Sequence, residues 1–478
     1  MPRSRPQGRE TLAILLNVKP LLTLLPALLL ALPLAAEPPP PPKTPAPIVE
    51  SSEVEVNDPK LKADIDDAIQ RGVAWLKARQ LPSGAWPGLI LGPLYPGATG
   101  KAYDPVPELT SLSLLALLKC GVPVNDSCIS KGFAWLQKQE FGVTGGYGPA
   151  IALLAIEAKY TSKEALAKPG QKATKPKPIT PSDTDFKWAT KLTNQLLAGQ
   201  AKIGGWRYGN IPTDMVGNKP GYSDVSCTQY ALMGLKTAKR LGIPVKQEAF
   251  AKAADFLLGQ QEADGKPWIR ITLRQEGVKD DSASGYADKA RGFPYMKGAA
   301  NQFETIPTGA MTCAGLVGIL ICRSEILEQK DFPDRAKRLP KVDQAMWDAL
   351  AWLDQNWSTA QNPSEAALRQ PEAGMHELGY YLYGLERVGV MADLRMIGPK
   401  HDWYIQGAKT WIDRLDKNPA DITKTLGAKA DAKEVAGMGY WGFSHSRQPP
   451  ETQDTPYGLL FLRKASIRLG YSIDDAGK

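Results

Sequence analysis

The sequence predicts an all-α fold, a single α/α toroid of six helical hairpins in inner and outer rings, on three observations. A string built on Gln, Gly and Trp recurs along the chain, a second apolar stretch rich in Leu, Ala and Gly follows each copy, and the two kinds of segment differ in amphipathicity. A chain of 478 residues, 43% hydrophobic and 23% charged, is long enough to bury such a core in one domain.

The first copy runs Arg71-Gly72-Val73-Ala74-Trp75-Leu76 and then to Gln80, Gly84 and Trp86. Related strings run from Lys131 through Trp135 and Gln139 to Gly146 and Tyr147, through Gln200, Gly204 and Trp206, and through Gln261, Gly265 and Trp268 with one extra residue. Degenerate copies centre on Trp352 and on Trp411 with Trp441. The second segments are 109–119, 149–160, 223–241, 308–323, 376–388 and 455–469. In the first segment of a pair, Ala68, Ile69, Val73, Trp75 and Leu76 stand against Arg71, Lys77 and Arg79, the pattern of an outer helix. The second is apolar nearly all round, so it belongs inside. Six such pairs bury their inner helices most economically by closing into a ring, and neither end carries the polar capping repeat that an open array needs. At the turns, Gly allows a sharp reversal, Trp packs over a helix end and Gln bonds unpaired backbone groups, which makes Gln80, Gly84, Trp86, Gln200, Gly204 and Trp206 scaffold.

Ahead of the repeats, Arg3, Arg5 and Arg9 precede an apolar run at 21–36 that reads as a secretory signal, with an uncleaved N-terminal anchor as the alternative. Residues 37–58 form a Pro-rich linker, the toroid occupies 59–472, and no second apolar run is expected to span a bilayer. Export to the periplasm or the extracellular space follows. The net charge of +8 divides into +2 from residues 1–50 and +5 from 159–178, leaving +1 for the folded body, so no nucleic-acid surface is expected. Cys313 and Cys322 lie about 13 Å apart along one helix, too far for a disulfide, whereas Cys120 and Cys128 either pair or stay as two buried thiols.

The string Arg71-Gly72-x-x-Trp75-Leu76-x-x-x-Gln80-x-x-x-Gly84-x-Trp86 resembles the QW repeat of the terpenoid cyclase and protein prenyltransferase superfamily, over roughly residues 60 to 470. That resemblance implies the six-hairpin toroid. It also implies chemistry, from which this chain departs. Cyclases similar to squalene cyclase use an Asp-x-Asp-Asp acid, and Asp64-Ile65-Asp66-Asp67 sits instead at the start of the first outer helix, where carboxylates read as N-terminal capping. Prenyltransferases hold zinc with Asp, Cys and His. Asp224, Cys227 and His376 follow that order, but one extra residue between Asp and Cys turns the thiol by roughly 100° about the helix. No metal and no cofactor are assigned. Hydrolase elbows, zinc-protease helices and nucleotide loops are absent, as is the Cys-Gly-Glu-Gln thioester string.

With inner helices all running one way, their N-termini meet at one rim, which carries Asp224, Cys227, His376, His445 and Asp454, with Tyr222 and Trp441; His401 falls at the opposite rim. Tyr286, Tyr295 and Tyr457 join these as aromatics able to stack on sugar rings. The reading is a binding or scaffold toroid that uses this rim or the central cavity for an apolar ligand, a glycan or a protein partner, touching a membrane only through its N-terminus. An enzyme of cyclase, prenyltransferase, polysaccharide lyase or hydrolase type is the alternative.

Overall fold

Asp58 starts the first outer helix, its carboxylate accepting the N–H groups of Lys60 at 2.9 Å and Leu61 at 3.2 Å, while Pro59 fixes the first helical φ. In this helix, α1 (Pro59–Ala78), Leu61, Ile65, Ala68, Ile69, Gly72, Trp75 and Leu76 are buried along one stripe. The Asp64–Asp67 string therefore lies inside the helix and does not cap it, correcting the sequence expectation. Asp67 instead pairs with Arg71 at 2.8 Å and Lys417 at 3.0 Å. This computed structural model describes residues 58–88, 104–141, 145–161, 178–208, 223–270, 287–299, 301–427, 432–444, 450–471 and 473. The N-terminal signal or anchor, the linker up to residue 57, most of the Lys/Pro/Ala stretch, Tyr222, Tyr286 and His445 lie outside them.

The inner helices are α2 (Pro107–Lys119), α4 (Tyr147–Thr161), α6 (Val225–Arg240), α8 (Gly309–Glu328), α11 (Leu378–Met391) and α15 (Glu451–Leu462). Each packs on the next, and α15 packs back on α2, so the ring closes. Around it stand α1, α3 (Ser127–Leu136), α5 (Asp183–Ala198), α7 (Gln247–Gln260), α9 (Arg335–Gln355) and α12 (Trp403–Asp413), with α1 touching both α12 and α15. Three short helices, α10 (Glu365–Arg369), α13 (Pro419–Leu426) and α14 (Ala432–Val435), decorate the later turns. The fold is the α/α toroid the sequence predicts, with one amendment. Among the described residues three two-stranded ribbons lie in the turns: β1 (Pro87–Gly88) with β2 (Asp104–Pro105), β3 (Lys266–Ile269) with β4 (Ala287–Ala290), and β5 (Met396–Ile397) with β6 (His401–Asp402).

The repeat is a set of bonds. Gln80 Nε2 donates to Gly84 O and to Cys128 O, both at 2.8 Å, and Gln200 Nε2 donates to Gly204 O at 2.8 Å and to Ala249 O at 2.9 Å. Each Gln thus ties its own turn to the next outer helix. Trp86 Nε1 donates to Leu76 O and Trp206 Nε1 to Leu196 O, both at 2.7 Å, filling carbonyls at outer-helix ends. Gly84 and Gly204 have φ of +94° and +100°, and a Cβ there would lie 2.4 Å from Lys131 O and 2.1 Å from Lys252 O. Only glycine fits that approach.

The fourth copy differs from the sequence alignment. Gln261 Nε2 donates to Arg291 O and Ala345 O, both at 3.0 Å, so the turn it closes lies beyond the β3–β4 ribbon. Phe293 takes the Trp position, its N–H donating to Thr312 Oγ1 at 3.1 Å as Trp86 N donates to Thr110 and Trp206 N to Thr228, both at 3.0 Å. Trp268 is instead a ribbon residue bonded to Asp354 at 2.6 Å. Gly265 and Trp268 therefore match the repeat in sequence while lying at the β3–β4 ribbon, between Gln261 and the turn it closes.

α8 is long and apolar enough to cross a membrane, against the expectation that no second such run exists, but 94% of its apolar window is buried within the ring. Cys120 and Cys128 are both free, as are the other cysteines.

Candidate functional site

The N-termini of the six inner helices form one mouth of the ring. Asp224 caps α6, its Oδ1 accepting Cys227 N at 2.6 Å, and Asp224 N donates to Trp206 O at 3.0 Å. Burial pushes its carboxyl up to about 6, although the Cys227 N–H and the neighbouring Tyr295 hydroxyl pull the other way. Cys227 is fully enclosed one turn later, with its backbone against Gly146. His376 is exposed ahead of α11. Among the described residues no three His, Cys, Asp or Glu side chains are grouped to hold a metal.

Asp454 does not cap its own helix. It reaches back to the preceding turn, where Oδ2 accepts Phe443 N at 2.9 Å and Ser444 N at 2.8 Å and Oδ1 accepts Ser444 Oγ at 2.8 Å. Burial pushes it up to about 7, and the nearby Glu377 carboxylate adds to this. Trp441 is enclosed rather than displayed at the rim: its N–H donates to Thr455 at 3.1 Å and its Nε1 to Trp411 O at 2.6 Å, the bonds of the repeat Trp. His401 stacks on Trp357 at 4.6 Å and faces Asp354, on strand β6 of the ribbon that follows α11.

Sequence reasoning missed the interior. From the mouth inward, Tyr208 stacks on Tyr147 with centroids 5.2 Å apart and planes within 11°. Tyr147 meets Tyr230 at 4.4 Å, Tyr230 meets Tyr380 at 6.3 Å, and Tyr457 lies 6.0 Å from Tyr380 and 5.2 Å from Tyr383. Ser226 links the hydroxyls of Tyr147 and Tyr380, and Tyr380 donates to Gln229 at 2.9 Å. Beneath them Arg387 is fully buried, its guanidinium 3.8 Å from the Tyr383 ring centre and 4.7 Å from that of Tyr230, with Nη2 donating to Tyr230 Oη at 2.7 Å. The spacing Tyr380, Tyr383, Arg387 marks one face of α11, a signal hidden by the helix being apolar overall.

Below Arg387 the lumen becomes mostly apolar. Leu115, Leu154, Met233, Ile321 and Leu460, with Lys119, Glu157 and Lys236 among the other lining residues, surround a cavity of about 30 Å³, room for a couple of waters. The chain after α15 closes that end: Ser466 donates from N at 2.9 Å and from Oγ at 2.6 Å to Glu386. Burial pushes Glu386 up to about 7. The ring thus has a polar mouth, an aromatic middle occupied by a resident cation, and a floor made by its own C-terminal segment.

No family model and no curated protein matches this chain. Among solved structures it is similar to an unsaturated glucuronyl hydrolase specific for heparin, with 13% identity over 84% of this chain and 97% of that one and a TM-score of 0.41. It is similar too to an unsaturated glucuronyl hydrolase from Bacillus sp. GL1, with 12% identity over 84% and 96% and a TM-score of 0.45. A type II terpene cyclase from Scytonema gives 13% identity over 85% and 98% and a TM-score of 0.40.

Proposed function

We propose that this chain is an exported binding toroid of the QW-repeat group, non-catalytic in its lumen, that takes a sugar-ring ligand at the mouth. The observation that carries the reading is the partly exposed Tyr208 ring, stacked on Tyr147 with planes within 11° and set over an interior already filled by Tyr230, Tyr380, Tyr383, Tyr457 and Arg387. Tyr147 is held between Tyr208 and Tyr230 with its hydroxyl on Ser226, so the face of Tyr208 turned away from that stack is the one that suits the apolar face of a sugar. The filled middle speaks against a terpenoid chamber, since the aromatic faces that would stabilise a developing cation already surround a guanidinium. Membership in the QW group is supported by the Gln and Trp bonds repeated around the ring. Export rests on the N-terminal apolar run alone.

Two further readings have an observation each. Asp224, pushed up to about 6 beside Tyr295, has the acidity of a group able to donate a proton near neutrality, which favours a glycan-acting enzyme. Ile269, Phe303 and Leu368 are exposed in the turns leading to α8 and α11, which favours a protein partner.

Equilibrium binding of an oligosaccharide panel to the full chain decides between these. Binding that weakens at least about tenfold in Tyr208→Ala with an unchanged melting temperature is expected, given a stacking contribution of ~1.4 kcal/mol or more. No binding across the panel, or binding indifferent to Tyr208, would overturn the reading. Chemical conversion of a bound glycan, lost in Asp224→Asn, would install the enzyme in its place.

A further inference from the structure

We infer that the centre of the ring binds a small monoanion, chloride- to formate-sized, on the Nε and Nη1 edge of Arg387. This holds whatever the mouth binds. Arg387 is 0% exposed, and its Nη2 donates to Tyr230. Nε and Nη1, both fully buried, have no partner. A guanidinium carries five donors and keeps its charge, so orphaned N–H groups in a desolvated site are costly unless something accepts them.

Among the described residues the one carboxylate that faces Arg387 is Glu386, and it bonds neither Nε nor Nη1. The titratable groups that face Arg387 come from four helices: Tyr230 on α6, Cys313 on α8, Tyr380, Tyr383 and the adjacent Glu386 on α11, and Tyr457 on α15. Burial pushes the phenols of Tyr380, Tyr383 and Tyr457 and the thiol of Cys313 upward, so all four stay neutral. Glu386 is committed to Ser466 N and Oγ. Aromatic faces offset part of the charge through cation–π contact, as Tyr383 does at 3.8 Å, but a face accepts no in-plane N–H bond. A small anion satisfies both deficits at once, while a water satisfies only the donors. Size is limited by the packed tyrosines, and a planar or spherical monoanion suits the forked guanidinium edge.

The test uses the full chain in sodium chloride against sodium gluconate at constant ionic strength. Wild type should melt at a temperature that rises with chloride and saturates in slope as mass action requires, and Arg387→Met should lose that dependence. If Arg387→Met does not fold, crystals of wild type soaked in bromide decide by anomalous scattering. A bromide peak against Nε and Nη1 of Arg387 supports the inference. Melting indifferent to chloride with no bromide peak there, or a chloride effect that survives in Arg387→Met, overturns it.

Discussion

Gln200 joins the turn at Gly204 to the next outer helix at Ala249 with one amide group, and its removal leaves two carbonyls without that donor. Gln200→Ala should lower stability by ~1–3 kcal/mol, and Trp206→Ala by ~3–5 kcal/mol, both measured by urea unfolding. A Trp206→Ala protein that unfolds like wild type but loses ligand would mean that Trp206 serves binding. These positions were legible in the sequence because a turn that binds its neighbour needs those side chains at those offsets. Glu386 and Arg387 were not legible, since two adjacent charges in an apolar segment give no hint that one points to the axis and the other to the C-terminal segment. Glu386 also sets a pH dependence. Its carboxyl is held up at about 7 by burial, against bonds from Ser466 that pull it down, so the folded state binds this proton more tightly than the unfolded chain. The group therefore contributes stability below its ordinary value of 4.5, and that contribution is lost as pH rises through about 7. Glu386→Gln should flatten the fall in melting temperature across this window; an unchanged pH profile would show that Glu386 is not the group responsible.

At the scale of elements, four of the six hairpins are pinned in the same way where the turn enters the inner helix. The N–H groups of Trp86, Trp206, Phe293 and Trp441 donate to Thr110, Thr228, Thr312 and Thr455 near the start of α2, α6, α8 and α15. The spacing from aromatic to Thr shrinks from 24 residues to 22, 19 and 14, which is why no fixed-offset pattern exposes it. Outer-helix polarity and inner-helix apolarity, by contrast, were readable because burial on one side or on all sides writes itself directly into composition. Thr228→Val and Thr312→Val keep the volume and remove the acceptor, so each should cost ~1–3 kcal/mol by leaving a buried N–H unpaired. Equal losses at the two sites would support Phe293 as the fourth repeat aromatic. A neutral Thr312→Val beside a costly Thr228→Val would return that position to Trp268.

For the whole molecule, ring closure is what makes a mouth, a lumen and a floor out of six similar hairpins. The sequence argued for closure only from missing caps; the residues that make it, Gly72 against Trp441 and Leu459, Arg71 Nη1 on Ala436 O at 3.0 Å and Trp75 Nε1 on Thr425 at 3.0 Å, are separated by 350 positions or more and share no pattern. Pulsed electron resonance between spin labels on exposed Gln70→Cys of α1 and Lys409→Cys of α12 tests it most directly. A closed ring gives one narrow distribution at short distance, because these outer helices touch. A long or broad distribution, as in an open array with its first and sixth hairpins apart, would contradict the toroid and the filled lumen with it.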